Sequence, residues 1–301
     1  MTDPRTSEVD ARAKINLFLR VLGRRDDGYH DVETLAVPIS LADRVRVHAH
    51  SDPTQFRTLA LELEVVGDPA LTAGVPVDDT NLALRAAAAL ADRTRARGFA
   101  EITVEKRVPS AAGMGGGSAD AAAVLRVLNE LWGCHLSDAE LRDVGADVGA
   151  DVPALLDGGP VVARGRGEAV EPVDVAAFRW VVLPLGFTVA TRDAYDWWDE
   201  EGVAGGRGAD SVVAAAAVGD ARALARLMSN DLEEPVIRHH PEIADARRRV
   251  LEAGALRAMV TGSGPTVVGL LDDGTSVDLP GASEVMSAGH SRSGRPGSPD
   301  R

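Results

Sequence analysis

Pro109–Trp132 reads PSAAGMGGGSADAAAVLRVLNELW. Its second half carries Ala121, Val124, Leu125, Leu128 and Leu131 at helical spacing, which predicts an amphipathic helix. Ser118 is the natural N-cap for it. Three consecutive glycines, Gly115, Gly116 and Gly117, stand just ahead. Without β-carbons the backbone there can approach an anion closely and aim several N–H groups at it, and the helix N-terminus adds partial positive charge. The segment Gly113–Ser118 therefore predicts a polyphosphate cradle; a flexible linker before a helix is the plainer reading. It is no Walker A loop, because Ser118 stands where GxxxxGK[ST] needs lysine. It is a poor dinucleotide fingerprint too, because Ser118 replaces the third glycine and Pro109 separates strand from turn.

Outward from this segment the chain alternates strand and helix patterns. Ala13–Val21 fits a strand with Lys14 and Asn16 on one face, and Arg24–His30 fits a turn about Gly28. Strands are expected at Thr34–Ile39, Val45–His48, Leu59–Val66, Ile102–Val108, Val161–Arg164 and Trp180–Leu183. Helices are expected at Asn81–Arg93, Asp138–Val144, Thr191–Glu200, Asp210–Met228 and Glu242–Ala253. Ala258–Leu271 reads as strand, glycine turn and strand. From Asp272 onward Gly, Ser, Pro and Asp dominate, which predicts a disordered tail.

Composition narrows the function classes. The 301 residues are 45% hydrophobic, enough for two domains with cores of their own. No run reaches the roughly 18 apolar residues of a membrane span, and MTDPRTSEVD lacks the regions of a signal peptide, so a cytoplasmic protein is expected. The single cysteine, Cys134, forms no internal disulfide, and its neighbour His135 has no matching zinc-binding pair. A net charge of −14, from 46 acidic and 32 basic residues, opposes nucleic-acid and anionic-lipid partners. A phosphorylated ligand then needs local cations. Only Lys14 and Lys106 are lysines among the 32 basic residues; either chance or a need for a compact ammonium explains them.

The pattern P-x-x-x-G-[LM]-G-G-G-S-[SA]-D-A-A resembles the phosphate loop of the galactokinase, homoserine, mevalonate and phosphomevalonate (GHMP) kinase superfamily. The triple glycine, A-K-I-N-L-F-L with D-G-Y-H, and M-V-T-G-S-G-P-T at Met259–Thr266 resemble its diphosphocytidyl-methylerythritol kinase branch. With Gly149–Pro153 and Asn230–Glu233 the resemblance spans roughly residues 11–271. It implies an α+β, two-domain GHMP kinase fold. A ribosomal-protein-S5-like nucleotide domain would occupy residues 1–158, a ferredoxin-like C-terminal domain 159–275 and a tail 276–301, with a boundary near Asp157–Pro160.

The resemblance also implies chemistry: ATP, with Mg²⁺, phosphorylating the 2-hydroxyl of a cytidine diphosphate-linked methylerythritol. Asp151 is implied as the base, because it precedes Val-Pro, with Asp147 of the duplicated Gly-Ala-Asp as rival; Lys14 is implied beside it. For ATP it implies Asn81 near adenine, Lys106 near ribose or phosphates, and Pro109, Ala111, Ala112, Gly113, Met114, Gly115, Gly116, Gly117 and Ser118 around the triphosphate. Ser118 is also implied as a Mg²⁺ ligand. For the acceptor it implies Asn16 at the erythritol, Tyr29 and Tyr195 sandwiching the pyrimidine, His30 reading its edge, and Thr191, Gly262 and Ser263 in the cleft. Residue by residue, a plainer reading stands beside these: Asn81 as an N-cap, Tyr195 as core, Thr261–Thr266 as an ordinary hairpin turn. Another superfamily kinase and a nucleotide-binding regulator without catalysis remain the alternative functions; a monomer or homodimer is expected. Ala112, Met114 and Ala119 depart conservatively from the family loop. The last 30 residues depart wholly, so an absent edge element and a truncated or frameshifted end are expected.

Overall fold

A computed structural model of the chain describes residues 5–201 and 208–289. Its spine is an antiparallel hairpin of β1 (Arg5–Arg24) and β2 (His30–Ser51). Both strands are longer than expected, and the two segments predicted at Thr34–Ile39 and Val45–His48 are parts of one strand. Strict alternation explains the added start of β1: Thr6, Glu8, Asp10 and Arg12 face solvent while Ser7, Val9 and Ala11 turn inward. Next come β3 (Leu59–Gly67), one turn α1 (Pro69–Thr72), α2 (Leu82–Thr94) and β4 (Gly98–Lys106), then α3 (Gly116–Leu131), α4 (Asp138–Val148) and α5 (Val152–Leu156). The rest of the chain runs β5 (Val161–Gly165), β6 (Ala169–Pro172), β7 (Arg179–Leu183), α6 (Thr191–Glu201), α7 (Asp210–Val218), α8 (Ala221–Leu227) and β8 (Ser229–Asn230). It ends with α9 (Glu233–His239), α10 (Glu242–Glu252), β9 (Arg257–Val260), β10 (Val267–Leu271) and β11 (Ser283–Met286).

The first sheet runs β3-β4-β2-β1-β8, with β5 and then β6 added alongside β2. β2 serves two neighbours in turn: Val32–Ala36 pairs with β5, and Arg44–Ser51 pairs with β4. Residues 161–172 thus belong to the first sheet, and the turn at 157–160 does not divide the two sheets as the sequence suggested. The second sheet runs β11-β7-β10-β9. On β7, Trp180 and Val182 enter the core shared with Ile15, Leu17, Leu35 and Val37 of the first sheet, while Val181 and Leu183 enter a core under α9 and α10. Period-two alternation of an all-apolar strand is what lets one sheet bury both faces. A third core packs α2, α3 and α4 on the first sheet around Leu90, Leu125, Leu128 and Ile102.

Three local expectations change. The helix predicted over Asp210–Met228 breaks at Gly219 and Asp220, where the Asp220 carboxylate accepts from Ala223 N–H and starts α8. Helix α4 runs on through Gly145–Val148, with Ser137 and Glu140 forming its capping box. The expected tail is not unstructured where it can be seen: β11 pairs with β7, supplying an edge strand, while residues 290–301 of that tail lie outside the described residues. The physical reason is local: Val285 finds a place in the core between the sheets, and the backbone of Ser283–Met286 finds the open edge of β7. Among the described residues no helix is long and apolar enough to cross a membrane.

Candidate active site

Bulges in the β1–β2 register fall between Arg12 and Lys14 and between Asn16 and Phe18. They leave Lys14 and Asn16 on one face of β1 while Ala13, Ile15 and Leu17 enter the core. Lys14 Nζ donates to Asn16 Oδ1 (2.8 Å) and to the Gly113 carbonyl (3.0 Å), and stands 3.8 Å from Asp151 Oδ2. The Asn16 side-chain amide donates in turn to Thr34 Oγ1 (2.8 Å), and Asn16 N–H donates to Thr261 Oγ1 (3.0 Å). Asp151 sits at the start of α5 without capping it, and its side chain is 51% exposed. Its carboxylate is therefore open to a ligand while Lys14, buried, holds a countercharge beside it. Asp147, the rival, lies within α4 and lines no part of the cleft.

The two glycine segments meet. Gly113 has φ +75°, and a Cβ there would lie 2.2 Å from the Thr261 carbonyl oxygen. A side chain at this position would push the loops apart. Behind the second turn, Asn230 Nδ2 donates to the Val260 and Gly262 carbonyls, and Thr191 Oγ1 lies 3.2 Å from Ser263 Oγ. The N-terminal cap of α3 is Gly115, in the left-handed region, with Ala119 N–H donating to its carbonyl. Ser118 is hence the third residue of the helix and not its cap, which leaves its hydroxyl free to face the cleft.

Two contiguous cavities, of about 400 and 690 Å³, share Ser118, Asp151, Arg166, Thr191 and Tyr195. The first brings together Lys14, Asn16, Ala111, Ala112, Gly113, Gly115, Gly116, Gly117, Gly262 and Ser263. The second adds Tyr29 and His30. His30 is nearly parallel to Tyr195 (centroids 4.7 Å apart, planes at 21°), and its Nε2 lies 2.9 Å from Asp199 Oδ1. Burial, with the charge of Asp151 added, pushes the Tyr195 phenol well above its ordinary pKa. Tyr195 thus has one ring face taken by His30; it packs against the core and also lines the cleft.

Four predicted residues stand apart from both cavities. Asn81 caps α2, its Oδ1 accepting from Ala83 N–H and its Nδ2 donating to the Pro76 carbonyl, so the plainer reading describes its contacts. Met114 is buried in the core between the sheets, and Pro109 precedes the lining. Lys106 lies under the loop, paired with Asp43 and, at 3.2 Å, with Asp120. Sequence reasoning missed Asp43 and Asp120 because their partner is distant in the chain. It also passed over Arg166 and Gly167, which line the cleft and belong to none of the motifs it drew on.

Residues 81–159 match the model for the GHMP kinases N terminal domain, and 212–279 that for the GHMP kinases C terminal domain. A 4-diphosphocytidyl-2-C-methyl-D-erythritol kinase of Symbiobacterium thermophilum is 40% identical, covering 88% of this chain and 91% of its own length. One from a Synechococcus species is 41% identical, covering 87% and 84% respectively. A crystal structure of 4-(cytidine 5'-diphospho)-2C-methyl-D-erythritol kinase superposes with a TM-score of 0.75 at 31% identity, covering 94% of this chain and all of that one.

Proposed function

The chain belongs to the family of 4-diphosphocytidyl-2-C-methyl-D-erythritol kinases, and on that premise we propose how its own residues carry the transfer from ATP to the 2-hydroxyl of that substrate. The observation that carries the reading is the pairing of Lys14 and Asp151, 3.8 Å apart, in a cavity also lined by Gly113 and Gly115–Ser118. Asp151 takes the proton of the acceptor hydroxyl as it attacks the terminal phosphorus of ATP. Lys14, held by Asn16 and the Gly113 carbonyl, stabilises the negative charge that develops on the acceptor oxygen. The bare amides at the start of α3 receive the phosphates of ATP. Asn16 faces the erythritol unit, Tyr29 stacks on the pyrimidine from an exposed position, and His30, Thr191, Tyr195, Gly262 and Ser263 complete the acceptor side. ATP enters along the face of the cleft that Leu82 and Gly117 line, with Asn81 acting on adenine only through its hold on the start of α2. The enzyme acts on these small molecules in the cytoplasm.

Mg²⁺ fits as a nucleotide-borne ion. Among the described residues no group of three His, Cys, Asp or Glu side chains is placed to hold a metal, but the Ser118 hydroxyl and the Asp151 carboxylate both line the shared wall. One or two such ligands, with phosphate oxygens and water for the rest, is the usual Mg²⁺ arrangement. Bound there it neutralises phosphate charge. The test is ADP release with the cytidine-linked acceptor. The parent turns over, and Asp151→Asn loses about 10²- to 10⁴-fold in kcat while still binding ATP; an Asn variant as fast as the parent would assign the proton to another group.

A further inference from the structure

Between β5 and β6 the chain turns through Gly165, Arg166 and Gly167. Gly167 has φ +121°, and a Cβ there would lie 3.2 Å from the Ala150 carbonyl and 3.8 Å from Asp151 Oδ1. The turn is thus pressed against the segment that carries the base. Arg166 stands in the wall between the two cavities and lines both. Its guanidinium lies over the Tyr29 ring, 5.1 Å from the centroid, and its Nε is 3.9 Å from Glu168 Oε1, with 32% of the side chain exposed. The neighbouring cations are more closely engaged. Lys14 is bound by Asn16 and Gly113, Arg24 pairs with Asp199 at 3.0 Å and Arg192 with Asp196 at 3.5 Å. Among the described residues Arg166 is the one cation that both cavities share.

We propose that Arg166 binds the diphosphate of the acceptor, holding it beside the Tyr29 ring so that the alcohol end reaches Asp151. The inference rests on the acceptor read under Proposed function and adds the residue that recognises its anionic middle. An anion meets the carboxylates of Asp27, Asp151 and Asp196 in the second cavity, on a chain of net charge −14, so a local cation is needed for binding at all. A guanidinium offers two parallel N–H donors to oxygens of one or two phosphoryl groups, a match that an ammonium lacks. The tyrosine face below supports the fork by cation–π attraction and keeps it in plane with the cleft.

The experiment measures binding of cytidine and CDP by calorimetry, and KM for both substrates by ADP release, in the parent, Arg166→Gln and Arg166→Lys. Arg166→Gln is expected to lose about 10- to 100-fold in CDP affinity with cytidine affinity unchanged. KM for the cytidine-linked acceptor rises by a similar factor, KM for ATP stays, and Arg166→Lys recovers part of the loss. CDP affinity equal to the parent's overturns the proposal. So does equal loss of cytidine and CDP affinity, which marks a collapsed pocket, or a rise in KM for ATP matching that for the acceptor, which moves Arg166 to the donor phosphates. A parent that releases no ADP with the cytidine-linked acceptor refutes the proposed function instead, and the CDP-versus-cytidine comparison still decides on Arg166.

Discussion

Lys14 is fixed from several sides, and the fit is specific to an ammonium. A Cβ on Gly115 would lie 3.2 Å from Lys14 Cε, and one on Gly262 3.3 Å from its Nζ, so the side chain runs between the two glycine turns with no slack. A guanidinium is wider and planar and cannot satisfy Asn16 Oδ1 and the Gly113 carbonyl from the same point. Lys14→Arg is therefore expected to behave like a loss, not a conservative change. Lys14→Met should lower kcat by about 10²- to 10³-fold, and Lys14→Arg should fall by a comparable factor; steady-state rates at saturating ATP check both. Tyr29 makes the complementary case, since it is 56% exposed and its removal leaves the core intact. Tyr29→Ala should weaken the cytidine-linked acceptor by roughly 10- to 100-fold and leave ATP unmoved; equal weakening of both substrates would argue against stacking.

At the level of elements, the glycine loop before α3 rests on a buried ion cluster. Asp43 from β2 and Asp120 from α3 converge on Lys106 at the end of β4, and Asp43 Oδ1 also accepts from Arg107 N–H (2.6 Å) and Val108 N–H (2.8 Å). Asp120 Oδ1 has no hydrogen-bond partner among the described residues. Burial pushes Asp120 up to about 7, against the pull of Lys106 and with the repulsion of Asp43. A carboxyl raised in this way binds its proton more tightly in the folded chain than in the unfolded one. Its contribution to stability is complete below the unfolded value, about 3.9, and is lost as pH climbs through about 7. The thermal midpoint of the parent should fall between roughly pH 4 and 7 relative to that of Asp120→Asn, which has no proton to lose there, and run parallel to it above that window. Parallel midpoint curves for the two proteins would show that Asp120 does not titrate in that window. Lys106→Met, which strands two carboxylates, should cost about 3–5 kcal/mol in urea unfolding.

This cluster also marks how far the residues could be read unaided. The helix α3, the glycines before it and the closing hairpin were legible because their signals are local: apolar spacing, runs of glycine, a turn between two strands. Lys106 stood out as one of two lysines, yet its partners lie 63 and 14 positions away, and no local pattern announces a pairing across β2, β4 and α3. Ser118 has the chemistry of a cap, but Gly115 takes that place because left-handed backbone there starts the helix three residues earlier. The lengths of β1 and β2 escaped notice because about half the residues of each strand are polar, with cross-strand pairs such as Arg46 and Glu8 (2.9 Å) where apolar residues were sought.

For the whole molecule, the segment after β10 acts as a clasp. β11 pairs with β7 of the second sheet, Ser287 bridges to Ile39 of the first, and Met286 N–H and Ala288 N–H donate to Ser40 Oγ (3.1 Å) and the Pro38 carbonyl (2.7 Å). Ser287 Oγ accepts from Phe178 N–H (3.0 Å) as well. Since Pro38 stands opposite Lys14 in the β1–β2 register, the clasp closes on the strand pair that presents Lys14. Composition had marked this stretch as tail, because Gly, Ser, Pro and Asp surround one short apolar word, Val285-Met286. What decides its fate is the open edge of β7, which only the folded chain offers. A chain ending at residue 275 should therefore lose about 2–4 kcal/mol in urea unfolding and gain a tendency to associate through the bared edge. Hydrogen exchange supplies the independent measure: the amides of Ser287 and Ala288 should exchange far more slowly than those of an exposed loop such as Asp26–Gly28. Exchange at loop rates would show that the clasp is open in solution, and the short chain would then be as stable as the long one.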